Sequence, residues 1–510
     1  MTTLVTLNNL SAVASKALPG DTLVIPDGTY ANLAITISCS GQPGKRITIK
    51  PMNPGKVVLT GSSTITITGS YVTLANLVLK DGGNTGRVVI LQGSNNRITG
   101  FDVSMTATAC EQMFRVENKN NRIDHCVFRD WDKAGVWVVV WRPDSKENFT
   151  MIDHNVFKNR IATGAANGLE CVRIGTSDSS LSSSKTIVMQ NVFDSCNGEI
   201  EVISNKSGEN IYYRNVLTNS EGTLTLRHGN KCYVYNNLFD QNKKPNSGGV
   251  RVTGESHTVE KNLFRNIVGN GTTRCGVSIN NGVPNTAING YYQVKQTKVR
   301  NNVFINCTND FAVGVRVKTE CTLTPSSTVI ENNIGYHDNT DAVFSTNSDV
   351  LYGTGVAYTN NVFYASSIGK APSTGVEKKD VSTFDLSKID VKQYGVSEKT
   401  GLLWGESEPE HTELSVDNET FYTTFLSQLL SGAPSTPTPI PVPVPTPTPV
   451  PVPTPVPVPT SSNSSNTTEP NWKDLYAVSQ SNATLVKTEV NKVLAQVNAL
   501  KTSLEGILKL

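Results

Sequence analysis

From residue 121 to residue 363 the chain alternates apolar and polar positions in short runs that keep returning to one phrase. It reads "NRIDHCVF" (121–128), "TMIDHNVF" (150–157), "TIVMQNVF" (186–193), "NIYYRNVL" (210–217), "CYVYNNLF" (232–239), "HTVEKNLF" (257–264), "TKVRNNVF" (297–304), "TVIENNIG" (328–335) and "VAYTNNVF" (356–363). Its nine copies end 22 to 40 positions apart. Each copy alternates with period two, turns at an asparagine and then presents an apolar pair, which is what one rung of a stacked β-solenoid requires. The pattern predicts an all-β chain wound as a right-handed parallel β-helix.

In that arrangement Asn155, Asn191, Asn215, Asn237, Asn262, Asn302, Asn333 and Asn361 stack as a ladder of amides at the bends, with Cys126 in the corresponding place of the earliest clear copy. A structural role is expected for them, and for His125 and His154 of the "IDH" phrase. Insertions around the shortest repeat become loops on one face, where ligands are usually met.

The pattern fades after Phe363, which sets the β-helix at residues 1–368, followed by a mixed extension at 369–432 with helical potential near "FYTTFLSQLL". From Pro437 to Pro459 every second residue is proline. Such a run forms neither helix nor sheet, so 433–470 reads as an extended linker of ~3 Å per residue, roughly 80 Å in all for its proline-rich part. A ligand for proline-binding domains is the alternative, weakened by the lack of PxxP context and flanking arginines. In 471–510, Val486, Val490, Val493, Val497, Leu500, Leu504 and Ile507 are spaced 4, 3, 4, 3, 4, 3, a coiled-coil seam whose β-branched residues favour a homotrimer. A single amphipathic helix docked on the β-helix competes with that reading, but the long spacer argues against docking.

Composition narrows the partners. A net charge of +2 gives no overall basic field, so no nucleic-acid partner is expected and a polyanion must be held by a local cluster. No apolar run approaches the ~18 residues of a membrane span. The start shows no basic region followed by an apolar core, so the expected location is extracellular or on a particle such as a virion, reached without a signal peptide. The nine scattered cysteines lack a CxxC pair and read as buried thiols.

Candidate chemistry concentrates on four consecutive rungs. Asn167 and Arg173, then Glu199 and Glu201, then Arg227, then Arg251 fall at comparable distances after the preceding copy, and rungs stack ~4.8 Å apart. On a strand, Glu199 and Glu201 of "GEIEVISNKSGEN" would point to one face as like charges. With the amide oxygen of Asn167 they form an all-oxygen set suited to a hard cation such as Ca2+. Salt bridges from the two glutamates to Arg173 and Arg227 are an equal alternative. With Lys206 and Arg227, the carboxylates describe a site for an acidic sugar. "WDKAGVWVVVW" (131–141) offers either aromatic stacking for sugars or core packing for Trp137.

The blocks "NGLECVRIG" (167–175), "EIEVISNKS" (199–207), "GTLTLRHGN" (222–230) and "GGVRVTGESHTVEKN" (248–262), with "LPGDTLVIPDGTY" and "NPGKVVLTG" near the start, resemble in order the signature blocks of polysaccharide lyase family 6, the alginate lyases and chondroitinase B. The resemblance covers roughly residues 5 to 365. It implies Lys206 as general base, Arg227 as general acid, Asn167, Glu199 and Glu201 as calcium ligands, and Arg173, His228, Arg251 and His257 along the substrate cleft. His228 either shares the acid role or only hydrogen-bonds the sugar. The implied function is calcium-assisted β-elimination of a uronate-containing polysaccharide, with alginate expected because the family is weighted toward it. A C5 epimerase of a uronan and a non-catalytic carbohydrate-binding fibre are the competing functions.

Overall fold

The computed structural model describes residues 1–404 and 417–431, except 84, 105–106 and 164–166. The proline-rich linker and the heptad seam lie outside the described residues. Within them the chain builds three parallel sheets of 14, 13 and 14 strands, each strand pairing with the one a full turn away, consistent with the right-handed parallel β-helix expected from the repeats. The first sheet runs from Thr2–Leu4 to Val356–Thr359, the second from Ala34–Ile37 to Ser367–Gly369, and the third from Gly28–Ala31 to Val376–Lys379.

Alternation puts one side of every strand inside. The apolar pair ending each repeat stacks along the axis: the Phe157 and Phe193 rings lie 4.7 Å apart and nearly parallel, as do Phe239 and Phe264 at 4.8 Å and Phe264 and Phe304 at 4.8 Å. All nine cysteines are buried free thiols. Trp137 is fully buried beside Trp131, with the Arg160 guanidinium 4.4 Å from the Trp131 ring, so core packing explains the "WDKAGVWVVVW" run.

The asparagine ladder is continuous. From Asn155 to Asn333, the backbone N–H and side-chain Nδ2 of each member both donate to Oδ1 of the next, at 2.8–3.2 Å, ending on Asn361. Cys126 joins through its N–H, which donates to Asn155 Oδ1. The residue before each ladder position, from His125 to Asn360, has φ between 51° and 56°. The bend thus needs one left-handed residue and one amide that satisfies the buried backbone groups the turn leaves over. His125 and His154 occupy two of those left-handed positions and stack at 5.0 Å, which is repeat structure.

One feature departs from the expected boundaries. The sheets run past residue 368, since Val376–Lys379 pairs with Asn361–Tyr364 in the third sheet. The extension also packs on the β-helix. Its strap meets the ladder bend through Gly395, Ser397, Glu398 and Gly401, and Trp404 Nε1 donates to Gly100 O. Helix Asn418–Ser431 covers Phe149, Met151, Ile187 and Tyr213 of the first-sheet side with Tyr422, Phe425 and Leu429. At the other end, Leu10 and Ala14 of the short helix Leu10–Ala14 cap the same core as Leu23 and Ile37. Among the described residues no helix is long and apolar enough to cross a membrane.

Candidate active site

Strands Val172–Ile174, Glu201–Lys206, Gly222–His228 and Ser247–Val252 are consecutive neighbours in the second sheet. Ile203, Leu224, Leu226, Val250 and Val252 enter the core, so the alternate positions are left for the other face. Register aligns Arg173 with Ser204, Ser204 with Thr225, and Thr225 with Arg251. Near the strand ends Asn205 pairs with Leu226 but Lys206 pairs with His228, so the irregularity between them leaves Arg227 as the extra residue of its strand. A bulge of this kind re-aims a side chain.

Glu199 does not alternate with Glu201 along a strand as expected, because the strand begins at Glu201. Glu199 sits ahead of it and accepts the Leu169 N–H at 2.9 Å. Asn167, an exposed residue, lies two positions before that donor. Glu201 accepts from the Ser204 hydroxyl and lies 3.8 Å from Arg251 Nη1.

A third carboxylate completes the cluster. Glu170 is almost fully buried, its Oε1 lies 3.8 Å from Lys206 Nζ and 3.9 Å from Arg173 Nη1, and its Oε2 has no hydrogen-bond partner. The cations beside Glu170 are therefore Lys206 and Arg173, and the cation beside Glu201 is Arg251, which differs from the alternative in which Glu199 and Glu201 pair with Arg173 and Arg227. Burial, and then Glu170, push the Glu199 carboxyl up to about 8. Two crowded carboxylates and an orphaned carboxylate oxygen are a donor set that suits a hard cation, which would relieve both. Among the described residues no three His, Cys, Asp or Glu side chains are gathered tightly enough to form a metal site by themselves; Asn167 would have to supply part of it.

Arg227 is held by groups outside its own strand. Its guanidinium donates to Gly290 O at 3.0 Å and Asn289 O at 3.4 Å and lies 3.9 Å from the Tyr291 ring centre. Burial lowers its affinity for its proton. His228 is buried, and burial, Arg227 and Lys206 together push it down to about 3, so its imidazole is neutral at physiological pH.

His257, expected among the substrate-lining residues, is fully buried: Nδ1 accepts the Cys232 N–H at 3.1 Å and Nε2 donates to Thr253 O at 3.1 Å. Both ring nitrogens serve the backbone of neighbouring turns. Glu170 and Tyr291 were not singled out from the sequence. Glu170 stands inside "NGLECVRIG", and Tyr291 lies in the longest interval between repeats, from Phe264 to Phe304, which marks an inserted loop.

The profile of the chondroitinase B family matches residues 5–401. Among solved structures, the polysaccharide lyase family 6 alginate lyase AlyGC and a point mutant of it are each 30% identical, with a TM-score of 0.72, over 79% of this chain and 59% of theirs. The chain thus spans less than two thirds of the length of those relatives. A mannuronic acid specific family 6 lyase from human gut microbiota is 27% identical, with a TM-score of 0.65, over 74% of this chain and 91% of its own. No curated protein sequence matches the chain significantly. With the family profile spanning most of its length and one strand from each of the four signature blocks lying side by side in one sheet, the chain belongs to the chondroitinase B family, polysaccharide lyase family 6.

Proposed function

We propose that the protein is a polysaccharide lyase that cleaves a uronate-containing polysaccharide, alginate in the first place, by calcium-assisted β-elimination. The observation that carries this reading is the pairing of Lys206 with His228 beside the bulged Arg227, next to the carboxylates Glu170, Glu199 and Glu201. A site that only binds an acidic sugar has no use for a base, a hydrogen-bond donor and a carboxylate cluster placed together. The alginate lyases named among the similar structures support the choice of substrate.

The uronate C5 proton is weakly acidic, and its removal spreads charge onto the sugar carboxylate. Calcium held by Asn167, Glu199 and Glu201 would supply positive charge where that enolate-like dianion develops. Lys206 takes the C5 proton. The C5–H electrons form the C4=C5 bond, the C4–O4 bond breaks, and Arg227 donates a proton to O4 directly or through water. Arg173 and Arg251 orient the anionic chain. A neutral His228 supports a hydrogen-bonding role rather than a share in the acid step.

The test is a panel of polymannuronate, polyguluronate, polyglucuronate, dermatan and chondroitin sulfate, each with and without EDTA, read by the ultraviolet absorbance of the 4,5-unsaturated product. Absorbance that rises on alginate and disappears with EDTA supports the proposal. Binding without product, or C5 inversion without unsaturation, would replace it by the fibre or the epimerase. The heptad seam and the spacer fit a trimer that carries its β-helices away from an anchor such as a particle surface.

A further inference from the structure

Tyr291 stands within an insertion, residues 281–297, between strands Val277–Asn280 and Lys298–Arg300. Its ring centre is 3.9 Å from Arg227 Cζ and 6.0 Å from Arg251 Cζ, and its hydroxyl oxygen lies 3.4 Å from Arg251 Nη2. These two arginines repel one another. Arg251 is almost fully buried, its Nε has no hydrogen-bond partner, and its closest carboxylate contact is the 3.8 Å approach to Glu201. An aromatic face is one of the few uncharged groups that attracts a guanidinium without neutralising it.

The insertion is anchored on both sides of the cleft. Gly282 exchanges two backbone hydrogen bonds with Leu323, Val283 N–H donates to Tyr291 O, and Gln293 Nε2 donates to Thr324 O at 2.7 Å. On the far side, the buried Ser180 hydroxyl donates to Ile288 O at 2.8 Å. Ser180 belongs to the turn that follows the Arg173 strand, so the insertion arches over the turns of the Lys206, Arg227 and Arg251 rungs to reach it. Asn289 and Gly290, between that latch and Tyr291, offer their carbonyls to Arg227.

We propose that Tyr291 is a positioning residue, which together with the arch it belongs to holds Arg227 and Arg251 side by side and still positively charged for the sugar carboxylate and the leaving O4; the inference rests on the lyase reading above. A carboxylate partner in place of Tyr291 would hold the arginines as firmly but cancel the charge the substrate must meet. The ring fixes one geometry and leaves the charge available.

The test compares Tyr291→Ala and Tyr291→Phe with wild type in the full chain for kcat, KM and calorimetric affinity for an alginate tetrasaccharide. Tyr291→Ala is expected to lower kcat ~10-fold or more, and Tyr291→Phe, which keeps the ring, to recover it to within roughly three-fold of wild type. Unchanged kcat in Tyr291→Ala, or an equal loss in Tyr291→Phe, overturns the inference. Where Tyr291→Ala lowers the melting temperature, Ser180→Ala decides: releasing the latch lowers kcat at unchanged melting temperature, and unchanged kcat counts against the arch. If wild type binds the tetrasaccharide without releasing unsaturated product, the lyase reading fails and affinity judges the positioning. Binding ~10-fold weaker in Tyr291→Ala then supports it, and equal affinity overturns it; absence of wild-type binding overturns both.

Discussion

Lys206 faces His228 in register across neighbouring strands, while Arg227, one residue earlier, has no register partner. The bulge keeps together Arg227 and His228, which a regular strand would have sent to alternate faces: Arg227 Nη1 lies 3.5 Å from His228 Nδ1. His228 settles into the buried wall, and Arg227 turns toward the carbonyls of Asn289 and Gly290.

Removing either member of the proposed acid–base pair is expected to abolish turnover without unfolding the chain. Lys206→Ala and Arg227→Ala should each lower kcat by ~10²–10⁴-fold, with the melting temperature little changed, because neither side chain enters the core. Product absorbance under saturating calcium measures it. Activity within ten-fold of wild type for Lys206→Ala would exclude it as the base.

Calcium should stabilise the fold through the crowded carboxylates. Ligand binding to the native state alone adds about 2.7 kcal/mol at a hundred times Kd. Thermal melts with increasing calcium are therefore expected to shift upward in wild type and to stay flat in a Glu199→Gln, Glu201→Gln double variant. A parallel shift in both would place the ion elsewhere.

The ladder makes a mid-column asparagine worth more than an end one. Asn237 donates through its backbone and side chain to Asn262 Oδ1, and through Nδ2 to Tyr212 O and Tyr235 O. Asn237→Ala strips buried carbonyls of their donor and should cost roughly 3 kcal/mol. Asn361→Ala, at the end of the column, should cost less, as chemical denaturation of both variants would show.

The strap over the ladder bend carries a pH dependence. Burial opposes the charged form of His154, but hydrogen bonds to Asp153 and Glu398 outweigh it and push the imidazole up to about 9. Arg122 also faces this group and opposes its charge. With the folded value above the ordinary ~6.5, the contribution is complete below that pH and is lost as pH rises through about 9. Stability should therefore fall from pH 7 to 10 in wild type, and fall less steeply in Glu398→Gln.

The heptad seam predicts the mass of the assembly. The full chain is expected to sediment as a trimer, and Val493→Asp, which puts a charge on the seam, as a monomer. Sedimentation equilibrium separates the two.

The repeats carried the fold because a β-solenoid is built from local rules repeated. Period-two alternation sets the inside, an asparagine marks every bend from Asn155 to Asn361, and an apolar residue, most often a stacked phenylalanine, closes the rungs from Phe157 to Phe304, so both columns were legible one turn at a time. The four signature blocks likewise marked Lys206, Arg227 and the glutamates. What sequence spacing could not supply was register and reach. Counting along the chain placed Glu199 on a strand, because an offset says nothing about where a strand begins, and the family resemblance that named His257 said nothing about which side of a turn its ring enters. The bulge at Arg227, the buried Glu170 under Lys206, and Tyr291 arriving from an insertion two rungs away exist only once the turns are stacked. Each depends on contacts between residues far apart in the chain, and such contacts are decided by packing rather than by local pattern.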